Sequence, residues 1–111
     1  MDADSGELLG SVMVGAVPRG VALISNAEGA PQTAWVLNAV DNSVSRVDVS
    51  DPANPEVQST TPMEDPTHPV VKQGRMAFND ADASTTGTFS CESCHPDGHT
   101  DPLIWVLDTP I

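Results

Sequence analysis

Apolar residues in the first half of the chain occur in short runs that turn-forming residues separate. The runs occupy residues 8–15, 20–24, 34–40, 43–49 and 56–60. Several short runs of this kind, with turn signals between them, are typical of antiparallel β-structure. The pattern therefore predicts an antiparallel sheet within residues 1–61.

The run at residues 43–49 predicts an irregular strand. Asp41 and Asn42 precede it and favour a tight turn, because both tolerate positive φ and bond to their own backbone. Apolar and polar residues then alternate, but Val44 and Val47 are an odd number of positions apart and point to opposite faces of a regular strand. We therefore expect a bulge or a register shift near Arg46.

Prolines interrupt the chain after the predicted sheet, at positions 62, 66 and 69. Since proline resists both helix and central strand, we interpret residues 62–73 as a linker. Residues 74–111 then form a second segment of short helices and loops, so the expected fold class is mixed. The sequence shows neither a basic and apolar leader at its start nor a closing element at its end. We therefore expect it to be a piece of a longer protein.

The charge balance excludes several classes of partner. The 111 residues include 16 Asp and Glu but 4 Lys and Arg, which gives a net charge of -12. Such a chain cannot neutralise phosphates, which excludes ordinary nucleic-acid binding. A membrane span is not expected either, because no apolar run approaches the roughly 18 residues that a spanning helix needs. The charge instead favours a basic partner.

Both cysteines of the chain fall in one motif, Cys91-Glu92-Ser93-Cys94-His95. Cys-x-x-Cys-His is the pattern at which a c-type haem is attached. Two intervening residues allow one turn of chain to present both thiols to two vinyl groups on one edge of the macrocycle, each forming a thioether. The next imidazole is then directed at the iron as its proximal axial ligand. We predict covalent haem c, with Cys91, Cys94 and His95 binding the cofactor and His95 binding the iron.

Two other interpretations of the motif stay open. A structural zinc site needs four ligands, which Cys91, Cys94, His95 and His99 could supply, although adjacent ligands at 94 and 95 are unlike the usual zinc spacings. The Cys pair could also be a redox dithiol. That motif belongs beside a βαβ unit, however, and no parallel-sheet pattern precedes it here.

Three stretches of the predicted sheet resemble one blade of a YVTN-type β-propeller. Residues 17–22 match its Pro-x-Gly-apolar-Ala start, residues 34–38 match the Y-V-x-N strand with Trp35 in place of Tyr, and residues 42–49 match its N-S-V-S-V-apolar-Asp strand. The resemblance implies that residues 1–61 are one blade, with the other blades in the remainder of the parent chain. A generic β-meander is the alternative.

Residues 74–111 resemble the haem segment of propeller-linked cytochromes c, distant relatives of di-haem peroxidases of the MauG type. Gly74 and Phe78 match the Gly-Lys/Arg-x-x-Phe of a first cytochrome c helix, which implies that Gly74 lies against a neighbouring helix and Phe78 against the haem edge. Residues 94–105 match the segment after the Cys pair, with His99 replacing the commoner Arg. These proteins are exported, so the resemblance implies a periplasmic or extracellular location.

The second axial ligand of the iron is less defined by the sequence. His99 follows His95 by four residues, too few to reach the opposite face of the macrocycle, and we expect it beside the haem or on the surface. The upstream candidates are Met63, His68 and Met76. Packing or loop positions suit these three better. Trp105 is expected to pack in the haem segment, with an electron relay as the alternative.

The main prediction is electron transfer through one covalent haem. The electrons are exchanged with a redox partner protein, and the acidic charge of the chain favours a basic one. The enzymatic alternative is one haem site of a di-haem peroxidase or oxidase, in which the full-length parent rather than this piece is the enzyme. The non-haem alternative is a small β module with a Cys/His zinc site.

Overall fold

The computed structural model describes residues 1–2 and 4–103. The chain forms two compact units that divide between His68 and Pro69. The first unit contains a β-sheet, and the described part of the second contains short helices and turns. The fold class is therefore mixed, with the antiparallel strands first.

The sheet of the first unit is a four-stranded antiparallel meander, in which each strand pairs with the next along the chain. Its strands are β1 (Pro18–Ser25), β2 (Pro31–Asn38), β3 (Ser43–Asp48) and β4 (Glu56–Pro62). Four of the five apolar runs thus form the predicted strands. In the turn between β2 and β3, Asn42 has a positive φ of 52°, as the turn chemistry of this residue allows.

The irregularity expected near Arg46 is confirmed as a register shift between β3 and β4. Arg46 pairs with Ser59 and Val47 pairs with Val57, so Gln58 is the extra residue of β4. The shift places apolar Val57 opposite Val47, which is only 2% exposed. The side-chain Nε2 of the extra residue, Gln58, donates to Oδ2 of Asp48 at 2.9 Å.

The strand predicted at residues 8–15 is wrong, because this segment contains no strand in the structure. Val12 and Val14 of this segment pack on one face of the sheet instead. The buried cluster on that face consists of Ala34, Val36 and Val47, and the half-buried side chains packed against it are Val12, Val14 and Val49. Apolar pattern alone does not distinguish a strand from an extended segment that crosses a sheet.

A buried polar network fastens this segment to the sheet. Asn38 has no exposed surface, and its Oδ1 accepts a hydrogen bond from the N–H of Gly15 at 3.1 Å. Its Nδ2 donates to the hydroxyls of Ser43 and Ser45, each at 2.9 Å. The Ser45 hydroxyl also shares a 3.1 Å hydrogen bond with that of Thr60. One side chain thereby joins the crossing segment and β3, and reaches β4 through Ser45.

The second unit begins with α1 (Pro69–Asn79), followed by a 3₁₀ turn at Ala81–Ala83. The single-turn helix α2 (Cys91–Cys94) and a 3₁₀ turn at Pro96–Gly98 come next. Helix α1 starts five residues earlier than Gly74, where the sequence predicted the segment to begin. Pro69 occupies its first position, where proline suits a helix because no N–H is needed there. None of the residues 69–103 is buried.

Among the described residues, no helix combines the length and the apolar character that crossing a membrane requires.

Candidate functional site

The Cys-x-x-Cys pair occupies the single helical turn α2. The N–H of Ser90 donates to Oγ of Ser93 at 3.1 Å, and the N–H of His95 donates to the carbonyl oxygen of Cys91 at 3.0 Å. These two bonds close the turn at both ends. Cys91 is exposed, Cys94 is half-buried, and both thiols are free.

The imidazole of His95 is held by the chain that follows it. Its Nδ1 lies 3.1 Å from the carbonyl oxygen of His99 and 3.4 Å from Oγ1 of Thr100. A carbonyl oxygen only accepts hydrogen bonds, so the shorter contact requires the proton on Nδ1. In the neutral ring, Nε2 then keeps its lone pair, which is the form that binds a metal.

An open cavity of about 330 Å³ lies beside this turn. The residues that line it are Ala83, Ser84, Phe89, Ser90, Cys91, Cys94 and His95. All three members of the Cys-x-x-Cys-His motif thus face one space, together with an aromatic ring and an uncharged wall. The donor set of two thiols and one imidazole beside apolar surface fits an iron porphyrin that is attached by thioethers.

Phe89 is the cavity residue that the sequence analysis missed. It lies in the polar stretch between Asn79 and Ser90, whose composition is typical of a loop. The signal that could have found it is its position, because an aromatic residue two positions before Cys91 must lie close to the helical turn that carries the cysteines. Phe78, which the resemblance placed against the haem edge, is half-buried in α1 and is not among the cavity residues.

The other residues considered from the sequence do not line the cavity. Met76 is exposed on α1. His99 bonds to the ring of His95 through its backbone carbonyl, and its own imidazole is not part of the cavity lining. Met63 and His68 belong to the first unit. Gly74, expected against a neighbouring helix, has no atom of another described element within 4 Å of the position that a Cβ would take. Trp105 lies outside the described residues.

Residues 1–2 and 4–103 contain no ligand cluster of the kind that a zinc site needs. No group of three or more His, Cys, Asp or Glu side chains in that part of the chain is arranged to hold a metal ion.

Comparisons with known proteins return no match to this chain, whether against models of protein families, curated proteins or solved structures.

Proposed function

We propose that this protein binds one haem c covalently and transfers electrons through it. The observation that carries the proposal is the shared cavity of Cys91, Cys94 and His95, in which the His95 ring is hydrogen-bonded through Nδ1 and keeps Nε2 for the iron. A redox dithiol needs only the two thiols, and a zinc site needs a fourth ligand. The combination found here suits haem.

Each residue of the motif has a definite task. In forming a thioether, the sulfur of each cysteine bonds to one carbon of a vinyl group and the thiol hydrogen goes to the other, so no oxidant is consumed. His95 would hold the iron through the lone pair of Nε2. The bound haem would supply one-electron chemistry. The uncharged wall with Phe89 provides apolar contact for the macrocycle.

Maturation in cells that attach haem c tests the proposal directly. We expect the full chain to retain haem after denaturation and to show an α-band in the reduced-minus-oxidised spectrum. His95→Ala should abolish the native spectrum, and the double variant Cys91→Ser with Cys94→Ser should lose covalent attachment.

His99→Ala is the matched control. His99 holds His95 through its backbone carbonyl, which alanine retains, so this variant should keep the haem spectrum. The result would be different for a zinc site, where His99 is the fourth candidate ligand. A colourless protein that contains one zinc and no iron overturns the proposal in favour of the zinc module.

Peroxide or oxidase chemistry in the parent protein is the second candidate. It is favoured by the cavity itself, which opens to solvent and whose described lining offers one nitrogen ligand, that of His95. An open or water-bound sixth position permits ligand binding at the iron. Binding of cyanide or carbon monoxide to the haem-loaded chain, with turnover of peroxide, supports this candidate, whereas a six-coordinate iron that excludes both ligands contradicts it.

The first unit fits one blade of a β-propeller within the parent protein. A blade is a four-stranded antiparallel sheet, and β1–β4 form such a sheet in sequence order. Covalent haem attachment takes place outside the cytoplasm, so this proposal includes a periplasmic or extracellular location. The acidic chain, with a net charge of -12, favours a basic redox partner.

A further inference from the structure

We propose that Phe89, rather than Phe78, is the phenylalanine that packs against the haem of this site, and that the loop at residues 80–88 positions it there. The inference rests on the proposed haem function and deepens it. It assigns to Phe89 the contact that the resemblance to cytochromes c implied for Phe78.

The cavity beside the Cys-x-x-Cys turn distinguishes the two phenylalanines of the chain. Of the described residues that line it, Phe89 has the largest apolar side chain, and it shares the space with both cysteines and His95. Phe78 belongs to α1 and is not among the lining residues. A macrocycle that is bonded to Cys91 and Cys94 in this space therefore meets the ring of Phe89.

Hydrogen bonds within residues 80–88 give this loop a defined shape. Oδ1 of Asp80 accepts from the N–H of Asp82 at 3.0 Å and caps the 3₁₀ turn. The N–H and the hydroxyl of Ser84 both donate to the carbonyl oxygen of Ala81, at 3.0 Å and 2.8 Å. The N–H of Gly87 then donates to the carbonyl oxygen of Ser84 at 3.2 Å. The loop is therefore closed by bonds between its own residues.

The backbone is fixed on both sides of Phe89. Before it, Gly87 has a φ of 63°, in the left-handed region. After it, the N–H of Ser90 donates to Oγ of Ser93 at 3.1 Å at the start of α2. The half-buried Phe89 lies between these two points, so the protein chain itself holds the residue at the cavity.

An apolar ring in contact with the macrocycle affects the reduction potential of the iron. Ferric haem carries one more positive charge than ferrous haem, and an apolar neighbour that excludes water disfavours the more highly charged state. Phe89 therefore raises the potential, and its removal should lower it. Covalent attachment depends on the two thiols and not on this ring.

The test compares the two phenylalanines in the haem-loaded full chain. Phe89→Ala should lower the midpoint potential, and Phe89→Leu, which keeps a large apolar side chain, should restore most of the difference. Phe78→Ala is the matched control, because it removes the same ring from α1, and it should keep the wild-type potential. An unchanged potential in Phe89→Ala, or a larger shift in Phe78→Ala, overturns the inference.

The positioning role of the loop is tested at Gly87. Gly87→Val forces a β-branched residue into positive φ, and it should lower the potential in the same direction as Phe89→Ala. Gly29→Val is its control, since Gly29 also has a positive φ, 85°, but belongs to the first unit. Equal potentials for the two glycine variants overturn the role of the loop.

A direct measurement covers the case in which Phe89→Ala fails to retain haem. In NMR spectra of the reduced wild-type holoprotein, the ring protons of Phe89 should show nuclear Overhauser effects to protons of the macrocycle, and those of Phe78 should show none. Contacts from Phe78 without contacts from Phe89 overturn the inference while leaving haem binding established. A wild-type chain without covalent haem is a different result, because it removes the proposed function itself and this inference with it.

Discussion

The side chain of Asn38, the last residue of β2, makes three hydrogen bonds inside the first unit. It bonds to Gly15, Ser43 and Ser45 at once, and its loss would leave the buried hydroxyls of Ser43 and Ser45 without this partner. Polar networks of this kind contribute more than their separate bonds when every member is satisfied.

The network gives a prediction for stability. Asn38→Ala should lower the free energy of unfolding by about 2–3 kcal/mol, since it leaves buried donors and acceptors unpaired. Urea denaturation followed by circular dichroism measures the loss. Ser59→Ala, at an exposed position on β4, should change stability by less than about 0.5 kcal/mol. Equal effects of the two substitutions would contradict the role of Asn38.

Asp48 provides a prediction for pH. The Ser50 hydroxyl, donating to Oδ1 at 2.6 Å, and the Ser50 N–H, donating at 2.9 Å, lower the pKa of Asp48 below its ordinary 3.8, and the charge of Arg46 adds to the effect. A pKa lowered by folding means that the carboxylate adds stability above its unfolded pKa and that this contribution is lost as pH falls through the folded value. Ser50→Ala should therefore raise the pKa of Asp48 in a ¹³C NMR titration. An unchanged titration curve would show that the serine contributes nothing.

Helix α1 carries a glycine where the local structure does not need one. In the described part of the chain, no atom outside α1 lies within 4 Å of a Cβ built on Gly74, and glycine in a helix interior costs about 1 kcal/mol relative to alanine. Gly74→Ala should therefore stabilise the haem-loaded chain by up to about 1 kcal/mol in thermal unfolding. Ala77→Gly, at an exposed position of the same helix, should destabilise it by a similar amount. A destabilising Gly74→Ala would reveal a close neighbour on this face.

Sequence pattern was sufficient for the strands but not for the segment that covers them. Alternation and turn residues located β1–β4, and the odd spacing of Val44 and Val47 located the register shift. Residues 8–15 have the same apolar character, yet they form no strand, and the N–H of Gly15 bonds to the side chain of Asn38. A pattern of apolar residues records burial, and it does not record which hydrogen bonds the backbone makes.

The candidate site shows the same division. The Cys-x-x-Cys-His motif identified two thiols and one imidazole, because the amino-acid sequence states directly which side chains are present. The acceptor for His95 is a backbone carbonyl, which every residue possesses, so nothing in the sequence marks His99 for that task. Phe89 was missed because proximity in a folded loop, rather than periodicity, brings it to the cavity.

The two units differ in how they are stabilised. The sheet of the first unit has a buried cluster and a buried polar network, whereas none of residues 69–103 is buried. A segment of this size whose described residues form no buried core rarely folds by itself and usually needs a metal, disulfide or partner. The proposed haem would supply apolar contact to it.

Amide hydrogen exchange tests this coupling between folding and haem. Without haem, amides of α1 should exchange with little protection while those of β2 and β3 remain protected. With haem attached, protection of α1 should rise, because a ligand that binds only the folded state stabilises it. Identical protection of α1 in the two forms would contradict the coupling.

Intact mass combined with visible spectroscopy of the matured full chain tests the central claim most directly. The account predicts a mass increase of one haem, loss of both alkylatable thiols, and an α-band on reduction. A chain of unmodified mass, with Cys91 and Cys94 both open to alkylation and no absorption in the visible range, would contradict it.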